Sequence, residues 1–367
     1  MREYSPGAAA VAIPVLSCRV PMAKRIPALI VFAALAAGCG GSSNPMGPGG
    51  TPTPPPGSPV SGFVFYDENA NGIADPTDVV RLPGVSVSIG GETASTTTGG
   101  RFTVADVPAG LQSATIRPET LPVYFRPGLA QSVNVPAAGD LAVPAVLTLG
   151  SRARPNVYLA FGDSITWGEG SSDLTGYRSY LRADLRAYWG KAAVDGDGDP
   201  GTKSDVGQSR LGASLAAWQP AYLLILYGTN DWNAAQCRDW FPCYTIDALR
   251  SMVRQARGAG AKPILGTIPP VNPDYVDHSA TERNDWVRRM NDRIRAMARE
   301  EQVAIAEVHG DFLEQPSLPA LFADDKHPNN EGYRVMSRSF FDAITKPYSV
   351  SSSSLEPMLF DFTAPGR

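Results

Sequence analysis

Residues 157–166 read Val-Tyr-Leu-Ala-Phe-Gly-Asp-Ser-Ile-Thr. Unbroken apolar character from 157 to 161 is the mark of a strand covered on both faces, because a half-exposed strand alternates. The turn that follows carries a small residue, an acid and a hydroxyl. Working outward, similar short apolar runs recur at 192–194, 222–227 (Tyr-Leu-Leu-Ile-Leu-Tyr), 263–268 and 303–308. Helical patterns lie between them at 179–189, 246–256 and 284–299. In the last, Trp286, Met290, Ile294 and Met297 step by four, four and three, which is a buried stripe. Its arginines mix with Asp285, Asp292 and Glu300 and read as a solvated face. Strand–helix alternation predicts a parallel sheet with right-handed crossovers. The expected fold class is therefore α/β: a flavodoxin-like three-layer sandwich with about five parallel strands, over residues 151–348. Ligands of such folds bind beyond the carboxyl ends of the strands.

Residues 60–150 differ. Short Val/Thr/Ser-rich runs such as Gly62-Phe63-Val64-Phe65-Tyr66 and Val85-Ser86-Val87-Ser88-Ile89 repeat with a period of two and no helical stripe, which predicts a small antiparallel, all-β sandwich. One loop there spaces oxygen donors as a calcium loop does: Asp67, Asn69, Asn71, Asp75 and Asp78 with the Ile73 carbonyl, and Gly72 at the sharp turn. Asp78 stands where a longer Glu usually binds through two oxygens. The plainer alternative is an Asx-rich turn without metal. A structural calcium is expected in this loop, and no cofactor for catalysis.

Upstream, 22–39 begin with Met22-Ala23-Lys24-Arg25 and continue through an apolar run to Leu35-Ala36-Ala37-Gly38-Cys39. This reads as a signal peptide, too short for a spanning helix. Its end resembles a bacterial lipobox, which implies a lipidated Cys39. An ordinary signal peptide with an incidental cysteine is the alternative. Residues 1–39 are thus leader and signal, with Met22 as the expected start or the longer leader as real. Residues 40–59 are a Pro/Gly/Ser linker. The resulting expectation is an exported protein, either a cell-envelope lipoprotein or extracellular, touching the membrane through a lipid anchor only. Residues 349–367 form a tail without an assigned role.

The whole chain has 367 residues, enough for two cores, with 43% hydrophobic and 19% charged residues and a formal net charge of −4. That charge gives no reason to expect a nucleic-acid partner. The four cysteines and three histidines form no Cys-x-x-Cys pair and no His-Glu-x-x-His helix.

The chemistry gathers at three strand ends: Gly162-Asp163-Ser164, Gly228-Thr229-Asn230-Asp231 and Asp324-Asp325-Lys326-His327-Pro328. A serine hydroxyl needs an imidazole to take its proton. His327 supplies one, and Asp324, one turn earlier, can hold the far ring nitrogen. Asp325 is the rival carboxylate, at a poorer spacing of two. Oxyanion donors would be the Ser164 N–H, the Asn230 side chain and a glycine after the second strand. Gly196, Gly198 and Gly201 are the candidates, and Gly201 in Asp199-Pro200-Gly201-Thr202 is preferred. Asp195-Gly196-Asp197-Gly198-Asp199 reads as an acidic loop beside the site. Each residue has a bland alternative: Ser164 as a helix N-cap, Asn230 and Asp231 as turn formers, His327 as a surface histidine. His309 reads as structural, and His278 has no named partner.

In order and context, the three segments resemble the sequence blocks of GDSL/SGNH hydrolases over about residues 155–345. The resemblance implies a serine esterase with Ser164, Asp324 and His327 as catalytic residues and Ser164, Gly201 and Asn230 as the oxyanion hole. The family usually carries Asn and Ser around this glycine, where this chain has acids and Pro200. The expected substrate is a small acyl ester, acetyl ahead of long chains, including acylated carbohydrate. A lysophospholipase or thioesterase of the same family, and an inactive surface-binding module, are the alternatives. The 60–150 region resembles B-type adhesin repeats and carboxypeptidase regulatory-like sandwiches, through its calcium loop, Leu82–Val87 and Thr97–Phe102, which implies a spacer or binding module. Export implies oxidising conditions, so a Cys237–Cys243 disulfide is expected. It would close a loop whose Trp240 and Phe241 either line the substrate pocket or fill the loop's own core. Trp167 follows the nucleophile turn and would shape the same pocket.

Overall fold

The computed structural model describes residues 56–275 and 279–348. The expectations for the signal segment, Cys39, most of the linker, His278 and the tail lie outside these residues. Among the described residues no helix is long and apolar enough to cross a membrane.

Eight strands form the β-rich region: β1 (Ser58–Tyr66), β2 (Ser86–Ile89), β3 (Glu92–Ser95), β4 (Arg101–Val107), β5 (Gly110–Ile116), β6 (Phe125–Pro127), β7 (Gln131–Val135) and β8 (Leu141–Leu147). They make two four-stranded sheets, ordered β4-β1-β8-β6 and β3-β2-β5-β7. The period of two predicted from sequence is visible in β4, where Phe102 and Val104 are buried and Arg101 and Thr103 exposed. The expectation of a purely antiparallel region is corrected at one place. β1 runs parallel to β8, with Gly62 opposite Leu141 and Tyr66 opposite Ala145. Most of the region lies between these strands in sequence, so the long crossover that a parallel pair requires is present.

The α/β region contributes β9 (Arg154–Gly162), β10 (Ala193–Gly198), β11 (Pro220–Leu226), β12 (Lys262–Gly266) and β13 (Ala304–Ala306). All are parallel, in the order β10-β9-β11-β12-β13. Its helices are α1 (Ser164–Trp167), α2 (Tyr177–Trp189), α3 (Ser204–Trp218), α4 (Ala235–Asp239), α5 (Thr245–Gly258), α6 (Ala280–Glu300), α7 (Val308–Leu313) and α8 (Asn330–Thr345). Alternation along the strands divides the interior in two. Tyr158, Ala160, Tyr222 and Leu224 pack with Leu181 and Leu185 of α2 and Met336 and Phe340 of α8. Leu159, Phe161, Leu223 and Ile225 pack with Leu211 of α3, Met252 of α5 and Met290 and Ile294 of α6. Continuous apolar strands are thus required, because each side chain meets a helix layer.

The second strand is longer than expected. Asp195 to Gly198 is not a loop but continues β10, pairing with Leu159 to Gly162. Aspartate and glycine are poor strand formers, which hides the strand in the sequence. Close approach requires the glycine at 198, where a Cβ would lie 2.3 Å from the Trp167 backbone nitrogen. The strand order reverses between β9 and β11, so the turns after these strands flank a crevice at the carboxyl edge.

Candidate active site

Ser164 enters from the end of β9. Its backbone turns into α1 because the Asp163 carboxylate caps the helix, accepting from the Ile165 N–H at 3.0 Å. Asp163, not Ser164, is therefore the N-cap, and the Ser164 hydroxyl is left for chemistry. Its Oγ lies 2.9 Å from His327 Nε2. Asp324 Oδ2 lies 2.7 Å from His327 Nδ1. The other oxygen, Oδ1, accepts from the backbone N–H of Lys326 at 2.9 Å and of His327 at 2.7 Å. The turn 324–327 is thus closed by the same carboxylate that orients the ring. With Nδ1 donating to Asp324, the neutral imidazole presents an acceptor at Nε2 to the serine hydroxyl.

Burial raises the Asp324 pKa, but hydrogen bonds from the His327 ring and from the two backbone N–H groups outweigh it, and the group titrates below its usual range. Asp325, the rival, turns to Arg283 at 3.2 Å and Lys326 at 2.9 Å. Ser164 and His327 are both buried, at 4% exposure each, so neither is a casual surface residue.

Asn230 follows β11. Its Nδ2 donates to the Thr202 carbonyl at 3.1 Å and to Asp163 Oδ2 at 3.3 Å. Of the three glycines, Gly196 and Gly198 lie inside β10. Gly201 lies beyond it in a left-handed turn with φ +78° and open space around it, beside the Thr202 that holds the Asn230 amide.

The structure thus brings Ser164, Asp324, His327 and Asn230 to one edge, with the Gly201 turn bonded to Asn230 through Thr202. Residues 160–335 match the model of the GDSL-like lipase/acylhydrolase family. This stretch is a GDSL-like lipase/acylhydrolase domain. That makes the chain an ester hydrolase by class. A lipase/acylhydrolase from Enterococcus faecalis is similar in structure, with a TM-score of 0.44 at 20% identity over 53% of this chain and 99% of that one. An acetyl xylan esterase from Geobacillus stearothermophilus gives 0.43 at 21% identity over 54% and 99%. A GDSL-like lipase from Bacteroides thetaiotaomicron gives 0.42 at 22% over 52% and 87%. No curated protein matches the sequence.

Several residues of the acylhydrolase domain escaped the sequence reading. Asp231 is fully buried and accepts from the Ser204 N–H, the Ser204 hydroxyl and the Thr245 hydroxyl at 2.9, 2.6 and 2.6 Å. It is a tie between the Asn230 turn, α3 and α5 rather than a turn former. Arg210 on α3 donates to the carbonyls of Gly162 and Asp197 and to the Tyr227 hydroxyl, and its guanidinium lies 4.1 Å from the Phe161 ring centre. It clips together the ends of β9, β10 and β11. Asp163 is buried, and desolvation pushes its carboxyl up to about 7 against the Ile165 N–H and alongside the like charge of Asp231. Arg210 lies outside the three motif segments and carried no local signal for this role.

Cys237 and Cys243 form the expected disulfide, with Cα atoms 4.9 Å apart. Phe241 packs edge-on to Trp286 and under Arg289, while Trp240 is 76% exposed. Phe241 thus joins the packing around Trp286 of α6 instead of a core of its own loop, and Trp240 stands free at the surface. Trp167, beside the nucleophile, is 48% exposed. His309 is buried at the start of α7, as expected of a structural residue.

In the β-rich region, the proposed calcium ligands form a loop closed on itself. Asp67 accepts from the N–H groups of Asn71 and Gly72, and Asp78 accepts from those of Glu68 and Asp75. The Asn69 and Asn71 amides both donate to Asp75 Oδ2, and the Ile73 N–H donates to the Asn71 side-chain oxygen. Gly72 has φ +80°, as a sharp turn requires.

Proposed function

We propose that the domain is a serine esterase that hydrolyses small acyl esters, acetyl ahead of long chains, on carbohydrate or another simple alcohol. The observation that carries this reading is the continuous hydrogen-bond chain Ser164–His327–Asp324 at a strand-end crevice. His327 Nε2 takes the hydroxyl proton as Ser164 Oγ attacks the acyl carbon. Asp324 stabilises the imidazolium. The oxyanion meets the N–H groups of Ser164 and Gly201 and the Asn230 amide. The long contact from Asn230 to Asp163 is the one the oxyanion displaces, since hydrogen bonds weaken with length. His327 then gives the proton to the leaving alcohol, and water repeats the sequence to free the acid.

The short-acyl preference rests on the sequence, which has no long apolar lid segment.

The reading extends upstream: Cys39 as a lipid anchor after export, and the β-rich region as a sandwich-like spacer. Its oxygen-rich loop suits calcium by chemistry, with two buried carboxylates, Asp67 and Asp78, turned inward. The ion would be held by Asp67, Asn69, Asn71, Asp75, Asp78 and the Ile73 carbonyl, with the two Asn amides turned over to present oxygen.

The test is turnover of 4-nitrophenyl esters from acetyl to dodecanoyl by the purified protein. Acetyl is expected to lead, and Ser164→Ala is expected to lose at least about 10³-fold in turnover with unchanged thermal unfolding. Retained turnover in that variant, or a maximum at long chains, overturns the proposal.

A further inference from the structure

Glu169 is a charged group at the reacting nitrogen that the mechanism above does not use. Its carboxylate Oε2 lies 3.4 Å from His327 Nε2, and its side chain is 50% exposed. The placement is built by the backbone. The Glu169 N–H donates to the Ser164 carbonyl at 3.0 Å, and its carbonyl accepts from the Tyr333 hydroxyl at 2.7 Å. Gly170 follows with φ +92°, where a Cβ would lie 2.5 Å from the Pro328 carbonyl and 3.1 Å from His327 Cβ. The segment is therefore clamped between the nucleophile's helix and the histidine turn.

The surrounding charges leave Glu169 uncompensated on its outer side. Asp324 occupies the far ring nitrogen, and Arg283 and Lys326 are engaged by Asp325. Arg178 turns its guanidinium to the carbonyls of Trp167 and Leu174. Among the described residues, the one basic group paired with the Glu169 carboxylate is His327, which carries charge only when it holds the proton taken from the hydroxyl. Nε2 is the atom that must hand its proton to the departing alcohol. The leaving group therefore passes beside a half-exposed carboxylate.

We propose that Glu169 is a specificity-determining residue, an electrostatic filter on the alcohol half of the ester that favours neutral or cationic leaving groups and rejects anionic ones. The inference rests on the roles assigned above to Ser164 and His327. Two like charges a few ångströms apart in a partly solvated cleft repel enough for a roughly five- to tenfold selection, which salt screens.

The probe is a matched pair, methyl 4-acetoxybenzoate and the 4-acetoxybenzoate anion, followed by release of the phenol by the full-length protein. Each kcat/KM is divided by the ester's rate with hydroxide. The native protein is expected to prefer the neutral ester by roughly five- to tenfold at low salt, and less at high salt. Glu169→Gln is expected to bring the ratio to within about twofold and abolish its salt dependence, and Glu169→Lys to invert it. A native ratio near one, or a ratio unchanged in Glu169→Gln, overturns the filter. Should both variants fail to fold, the salt dependence of the native ratio decides. Failure of the esterase reading itself shows separately, as Ser164→Ala retaining turnover of the methyl ester.

Discussion

Two clusters of Asp, Asn and Gly dominate the polar chemistry of this chain, and they are assembled in opposite ways. In the loop from Asp67 to Asp78, carboxylates and amides find partners within ten residues, as from Glu68 to Asp78. At the catalytic edge, Ser164 and His327 stand 163 positions apart and meet only because β9 and the segment before α8 end at the same place. Local clusters inherit their geometry from turn chemistry. Distributed ones inherit it from the sheet, so a single substitution there removes function without removing structure.

Four substitutions or additions sharpen this contrast. The largest effect is expected for Asp324→Asn, which leaves the packing but loses the ring orientation. Its turnover should fall by roughly 10³–10⁴-fold with little change in thermal unfolding. A smaller effect is expected for Asn230→Ala: a fall of about 10²–10³-fold in kcat with KM nearly unchanged, since the amide acts on charge that develops only in the transition state. An equal rise in KM would show that the amide binds substrate instead.

The local cluster should respond to metal rather than to turnover assays. Calcium at a hundredfold excess over its dissociation constant should stabilise the protein by about 2.7 kcal/mol, and a chelator should reverse this without affecting initial rates. Melting of the β-rich region that ignores both would assign the loop to hydrogen bonds alone.

The smallest effect concerns Asp163. Its folded carboxyl titrates near 7, above the ordinary range of an aspartate. Between those values the folded state holds the extra proton, so this group makes stability fall as pH rises from about 4 to 7. Asp163→Asn keeps a capping oxygen and removes the titration. Denaturant unfolding should then show a flatter pH profile, the variant gaining stability relative to the native protein between pH 4 and pH 8. Parallel profiles for the two proteins would contradict the buried carboxyl as its cause.

The legible parts of the sequence were those with a local signature. Both-face burial announced β9, β11 and β12, and three steps between Asp324 and His327 sufficed for a one-turn contact. The second half of β10, residues 195–198, escaped because Asp-Gly-Asp-Gly has loop composition. Only pairing with β9 and the Arg210–Asp197 bridge make it a strand. α3 and the parallel pairing of β1 with β8 also left no local trace. The same holds at the site. Asn230 stood at a strand end with a motif around it, whereas Asp231, Arg210 and Glu169 act on partners that only the finished sheet brings near.

The β-rich region grips the other end of the sheet. The Tyr124 hydroxyl bonds the Pro263 carbonyl and the Ala304 N–H, and Glu68 receives Asn156 and Lys191, all at or near strand starts. Docking and chemistry therefore occupy opposite poles of the acylhydrolase domain. The reactive rim is presented away from the β-rich region, so an ester can approach it without having to clear that region.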